Sequence, residues 1–291
     1  MPSLHNRRVS LSSPEQLEQR LLLTVKVSFN EKKGLLKITG DKENNSIRFD
    51  GFADGSFELD VGGQSQGLFD NIAAVKINLK GGDDGLFFQG TQIDGSVNVK
   101  LGRGADELDV DNSTINDEIL PVLFSGDFFA DFGGNPGDYA DFDDTVTIQG
   151  DLTLNRVADI DFHGDGADFS PESNDILIAG NFFISLSGAG ASDSDGLEIQ
   201  LDNVNVNGDT SLLGTSRTDR IRISQSSFAG NFLVDLGDGN DTLDIENGLA
   251  NNNKFGGQTE LEGGNDEDTL ALGNDNDFAV SPLVTGFETI A

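Results

Sequence analysis

The chain of 291 residues contains no cysteine, no tryptophan, one tyrosine and two histidines. Without cysteine there is no disulfide, no thiolate metal site and no thiol nucleophile. The two histidines, His5 and His163, stand in no Ser/His/Asp order, and neither a phosphate loop nor a zinc-ligand spacing occurs. No apolar run approaches the roughly 18 residues of a membrane span. Basic residues are also scarce, with 18 Lys and Arg against 51 Asp and Glu, for a net charge of -33. Residues 1–40 hold seven basic and three acidic groups, so the remaining chain is still more acidic. Such a body repels phosphate backbones, anionic membranes and polyanionic sugars. Cations, neutral glycans and other cell-surface components remain as partners.

What is abundant is glycine, 37 residues, together with 21 phenylalanines. Glycine opens a recurring unit. An apolar residue precedes a Gly-containing polar loop, which ends on Asp or Asn, one further residue, and a second apolar anchor. Ten such units run from Ile38 to Leu270, at intervals of roughly 18 to 31 residues. Flanking segments such as Val97–Leu101 and Leu108–Val110 alternate apolar and polar positions, the period of a half-buried strand. Helical spacing is nearly absent after residue 24. The expected fold is all-β: a right-handed, single-stranded parallel β-helix, or β-solenoid, of about ten coils. Residues 25–272 form its body, residues 273–291 a C-terminal cap, and residues 1–24 a basic address-like segment. A short helix is expected over 14–22, because Ser13 can cap it and Pro14 suits its first turn. The phenylalanines are read as core.

The residue two before each second anchor forms a series: Asn45, Asp84, Asp106, Asp144, Asn174, Asp195, Asp219, Asp241 and Asp268, broken only by Gln66. Two roles fit. Each side chain can accept a backbone N–H at its corner. Alternatively, stacked carboxylates can be relieved by a hard cation, which makes Asp84, Asp106, Asp144, Asp195, Asp219, Asp238, Asp241 and Asp268 a candidate calcium ladder. The two longest loops, 133–145 and 163–175, carry Asp138, Asp141, Asp143, Asp165 and Asp168, a candidate acidic binding edge. Recurrent Gly-Asp or Gly-Asn pairs at 150–151, 180–181, 208–209 and 230–231 mark a second corner.

Leu236-Gly237-Asp238-Gly239-Asn240-Asp241-Thr242-Leu243, and more loosely Leu101 to Leu108, resemble the calcium-binding RTX nonapeptide. That resemblance implies isolated calcium sites built from Asp and backbone carbonyls. Leu17-Glu18-Gln19-Arg20-Leu21-Leu22-Leu23, downstream of Arg7-Arg8, resembles the LEPR-x-LL segment of planctomycete extracellular proteins. This second resemblance implies export or display at the cell surface. The function expected is a secreted or surface-attached structural and adhesive solenoid, stabilised by calcium, with no catalytic residue assigned. The alternative is a carbohydrate-active β-helix enzyme, a polysaccharide lyase or glycoside hydrolase, using the two long acidic loops.

Overall fold

A computed structural model describes residues 25–115, 118–164, 176–185, 195–245 and 253–291. The expected helix over 14–22 lies outside the described residues. Within them the chain is all-β apart from the 3-10 turn Glu31–Lys33, and no helix is long and apolar enough to cross a membrane.

Three long sheets contain nearly all the strands, and the chain visits them in rotation. One circuit runs from Phe128–Asp131 in the first sheet to Tyr139–Asp143 in the second and Val146–Ile148 in the third. It returns to the first sheet at Leu152–Asn155. The return strand pairs parallel and in register, Phe128 against Leu152 and Ala130 against Leu154. The same step repeats along the body, with long parallel sheets as expected of a β-solenoid. The last strands, Asp277–Phe278, Leu283–Thr285 and Thr289–Ile290, continue the three sheets through residues 273–291.

The alternation seen in sequence sets the faces. In Ser96–Lys100, Val97 and Val99 are buried while Ser96, Asn98 and Lys100 are exposed. The buried apolar members of the three long sheets merge into a single core. Parallel strands lie about 4.8 Å apart, so a phenylalanine repeated at the same inward position stacks on itself. Phe49 on Phe88, Phe142 on Phe162 and Phe255 on Phe278 each have ring centroids 4.6 Å apart. The expectation that phenylalanine serves the core therefore holds for these rings.

The N-terminal end is closed by reversal. Lys26–Asn30 pairs antiparallel with Leu35–Thr39, turning through Gly34 at φ 56°. Phe57–Val61 pairs antiparallel with Ser46–Gly51, Gln64–Phe69 pairs antiparallel with Phe57–Val61, and Phe29 meets Phe69 edge-on at 5.6 Å. These reversed strands cover the outermost parallel edges, which otherwise invite pairing with another chain. They also explain Gln66. The unit Val61 to Leu68 is a hairpin, turning at Gly62 and Gly63 with φ of 58° and 78°, and not a corner of the stack.

Candidate functional site

The corner between the first and second sheets carries the acidic series. Each rung lies at the start of a second-sheet strand, and from Asn45 to Asp106 and again from Asp219 to Asp268 its backbone N–H donates to the side-chain carboxylate of the next rung. Asn45 donates to Asp84 Oδ1 at 2.8 Å, Asp84 to Asp106 Oδ1 at 2.9 Å, and Asp106 to Asp138 Oδ1 at 3.1 Å. Further along, Asp219 donates to Asp241 Oδ1 at 2.7 Å, Asp241 to Asp268 Oδ1 at 2.8 Å, and Asp268 to Glu288 Oε2 at 2.8 Å. Amide capping, the first of the two roles expected, is thus present; it runs between layers along the series, and also within one corner at Asp138, which accepts from Asn135 N–H, and at Asp219, which accepts from Thr215 N–H.

The register differs from expectation at the fifth rung. Asp138 is the ladder member; Asp144 sits past the strand Tyr139–Asp143, at φ 60°, where its Oδ2 accepts from Asn112 at 2.8 Å. The reason is that residues 139–143 are strand, so the loop expected over 133–145 ends at the rung. Likewise His163 closes the strand Asp159–His163 and does not open a loop; Asp165, Asp168 and Asn174 lie outside the described residues. By register Ala158 and Leu197 take the next two rung positions, so two separate acidic ladders replace one continuous series. Asp195 begins a second-sheet strand, two residues before that position. Asp238 lies outside the ladder, in an isolated bridge to Asn265, whose Nδ2 donates to Asp238 Oδ1 at 2.6 Å.

The rungs are buried: Asp84, Asp106, Asp138, Asp219, Asp241 and Asp268 each show 2% exposure or less. Burial disfavours the ionised form and raises the carboxyl pKa of Asp84 and Asp268. Asp106 and Asp241 are pushed up to about 7, by burial first and then by neighbouring carboxylates, and Asp138 to about 6, by burial.

A second, exposed ladder lines the corner between the third and first sheets, where the Gly-Asx pairs fall. Here the hydrogen bonds run the opposite way along the stack. Asp151 N–H donates to Asp127 Oδ1, Asn181 N–H to Asp151, Asp209 N–H to Asn181, and Asn231 N–H to Asp209, at 2.8 to 3.1 Å. Asp209→Ala removes one acceptor in solvent, and a loss of about 1 kcal/mol in urea unfolding is expected.

The outward face of the second sheet carries carboxylates on successive strands. Parallel register aligns Asp109 with Asp141 and Asp141 with Asp161; it also aligns Asp143 with His163 and His163 with Asp202. A third column runs from Glu107 through Tyr139 and Asp159 to Glu198. Three arginines stand on the same sheet: Arg48 pairs with Asp50 and acts on Asp109, Arg220 lies in register with Glu198, and Arg222 with Gln200. His163 Nδ1 lies 3.8 Å from Asp202 Oδ2, and Gln200 Nε2 donates to Asp161 at 3.2 Å. Tyr139 donates its hydroxyl to Asp141; burial and then the Asp141 charge push the phenol up. Asp109 and Asp143 rise to about 6, by partial burial and then by adjacent carboxylates. Asp111, Asp141 and Asp159 are raised for the same reasons.

Of the acidic edge expected from sequence, Asp141 and Asp143 therefore share a strand face, while Asp138 turns into the corner. Sequence reasoning missed Glu107, Asp109, Asp111, Asp159 and Asp161 as their neighbours. The signal was present as acids at alternate positions in Glu107–Asp111, Tyr139–Asp143 and Asp159–His163. Among the described residues, no three acidic or histidine side chains converge as a metal-binding group. No protein-family model, curated protein or solved structure matches this chain.

Proposed function

We propose that the chain is a structural and adhesive module of the cell exterior, a right-handed parallel β-helix of about ten coils that presents the second sheet as its binding face. The observation that carries this reading is the set of carboxylate columns on paired strands, held at the spacing of the layers. Strand-borne groups keep their positions better than loop-borne ones, so the face suits repetitive contact with cationic partners or with the hydroxyls of neutral glycans. Right-handedness follows from the strong preference of parallel crossovers. The length of the stack, with the second sheet running from Ser46–Gly51 to Thr289–Ile290, suits a rod. Export is supported by the LEPR-like segment.

The full chain should be retained on poly-lysine beads, and this retention should fall steeply with salt. A glycan array reports the neutral partners. Loss of retention in Asp109→Asn/Asp141→Asn/Asp161→Asn is expected. Failure to bind either surface, or binding that ignores these substitutions, would overturn the adhesive reading. Carbohydrate hydrolysis is a second reading, favoured by Asp143 rising to about 6 next to further carboxylates, a combination that can supply an acid and a base. Release of reducing ends from a polysaccharide panel would decide for it.

A further inference from the structure

We infer that copies of this chain associate head to tail, the C-terminal layer of one seating on the N-terminal cap of the next. This goes beyond the adhesive reading and does not depend on it. The outermost layers differ from the middle of the stack in the same way at both ends. The apolar residues that pack on the core while staying partly exposed are Val27, Phe29 and Phe69 at one end and Leu272, Phe278, Val284 and Phe287 at the other. Among the described residues five large apolar side chains are exposed, and four of them stand in these layers: Leu68 at the first end, Val280, Leu283 and Ile290 at the second. Each end thus shows the core in cross-section, a surface that gains by being covered.

The backbone adds free edges. Reversed strands close the N-terminal layers, whereas Asp277–Phe278, Leu283–Thr285 and Thr289–Ile290 only continue the three sheets. Each of these has a hydrogen-bonded neighbour on one side alone among the described residues. An edge of this kind is a template for pairing with another chain. At the opposite end the edge strands are Lys26–Asn30 in the first sheet and Gln64–Phe69 in the second. The second sheet has twelve strands and the first eleven, so Gln64–Phe69 stands one strand proud of its neighbour. Two reversals give it the same direction as the body of its sheet. It therefore meets Thr289–Ile290 of the next copy as a parallel strand, and the second sheet runs on from copy to copy.

Charge selects this order over the alternatives. The first sheet bears exposed Lys26, Lys37 and Lys76 in its N-terminal layers, and Asp235, Glu260 and Glu262 in its C-terminal ones. No Lys or Arg follows Lys254. Tail-to-tail contact would set acid against acid, in a chain whose net charge of -33 already opposes approach. Head-to-tail contact brings the lysines to the end that lacks bases. Acids on the cap, Glu31, Glu58, Asp60 and Asp70, keep this attraction local to the first sheet. A head-to-tail interface leaves one end of every assembly open, so growth does not close at a dimer.

Sedimentation velocity of the full chain over a wide concentration range should show species that lengthen steadily with concentration. Leu283→Asp/Ile290→Asp should weaken association by about tenfold or more, because it places charge on the exposed core. Ile119→Asp, on an exposed apolar residue away from both ends, should leave association unchanged, and circular dichroism reports that each variant folds. The order of the copies is read by cross-linking, since the chain has no cysteine of its own. Ser65→Cys and Thr289→Cys label the two second-sheet edges on separate chains. Oxidised as a mixture, they should give the mixed disulfide in clear excess over either homodimer. Monomer at every concentration, a closed dimer, homodimeric cross-links in equal or greater yield, or loss of association in Ile119→Asp would overturn the inference.

Discussion

Replacing Gly104 by alanine is expected to lower the unfolding free energy by about 4 kcal/mol, whereas Gly62→Ala costs about 1 kcal/mol. Both glycines have positive φ, 134° and 58° respectively. Gly62 sits at the tip of the N-terminal hairpin with nothing within 4 Å of an added Cβ, so only backbone strain is charged to the substitution. Gly104 lies in a corner where one layer rests on the next. A Cβ there would press into the Gly82 carbonyl of the preceding loop, and backbone cannot step aside as a flexible side chain can. Its φ also lies in a region that other residues seldom visit. The layers would have to separate locally, breaking the Arg103 N–H bond to the Lys80 carbonyl and the Gly82 N–H bond to the Arg103 carbonyl. Urea unfolding of the two variants measures the contrast. Equal losses would show that conformation alone, and not the close stacking of loops, fixes glycine at the corner.

That close stacking is why glycine made the repeat visible, and also why following glycine misplaced two corners. Between Phe132 and Val146 the sequence offers Gly133, Gly134 and Gly137, then an acidic stretch. The second-sheet strand Tyr139–Asp143 hides in that stretch because its inward anchors are Ala140 and Phe142, and its outward residues are Tyr and Asp. Aspartate is a poor strand former, so local propensity pointed to loop. Burial of Ala140 and Phe142 and pairing with both neighbouring strands override it. At the next layer the corner Arg156-Val157-Ala158 contains no glycine, and Arg156 itself takes φ 58°. With no glycine to mark it, the corner is not visible in sequence, and the loop expected over 163–175 falls one strand too late. Conversely, Gly62-Gly63 imitates a corner in a hairpin. Inward positions were therefore readable from period-two alternation at strands such as Ser96–Lys100. The acidic face was not, because it needs the register of several layers before alternate acids on separate strands become neighbours.

Acidification, in chelating buffer, is expected to stabilise the chain between pH 7.5 and 5, the reverse of ordinary acid denaturation. Asp109 and Asp143 titrate near 6 in the folded state, raised by partial burial and by the carboxylates beside them. In the unfolded chain an aspartate titrates near 3.9. Between these values the folded form holds protons that the unfolded form has released. Stability therefore rises as pH falls through 6, is complete below about 4, and is lost again as pH rises. A shift of about two units is worth up to ~3 kcal/mol per group, and half of that is a fair discount for solvent screening at a partly exposed face. Over the whole titration the pair contributes about 3 kcal/mol, of which about half, or about 2 °C in melting temperature for a chain of this size, is gained by pH 5. The buried corner carboxylates shift in the same direction, and loss of net negative charge relieves self-repulsion as well. Asp54 opposes the trend, since its bonds to Ser56 hold its pKa below the usual value and its contribution is lost only in stronger acid. Melting curves of the wild type and of Asp109→Asn/Asp143→Asn across this range isolate the strand-face share. The double variant should start higher at pH 7.5 and show a rise smaller by about 2 °C, because two permanently neutral amides have no proton to gain. Parallel curves for the two proteins would mean that neither burial nor the neighbouring carboxylates raise these groups, and the face would lose its claim to concentrated charge.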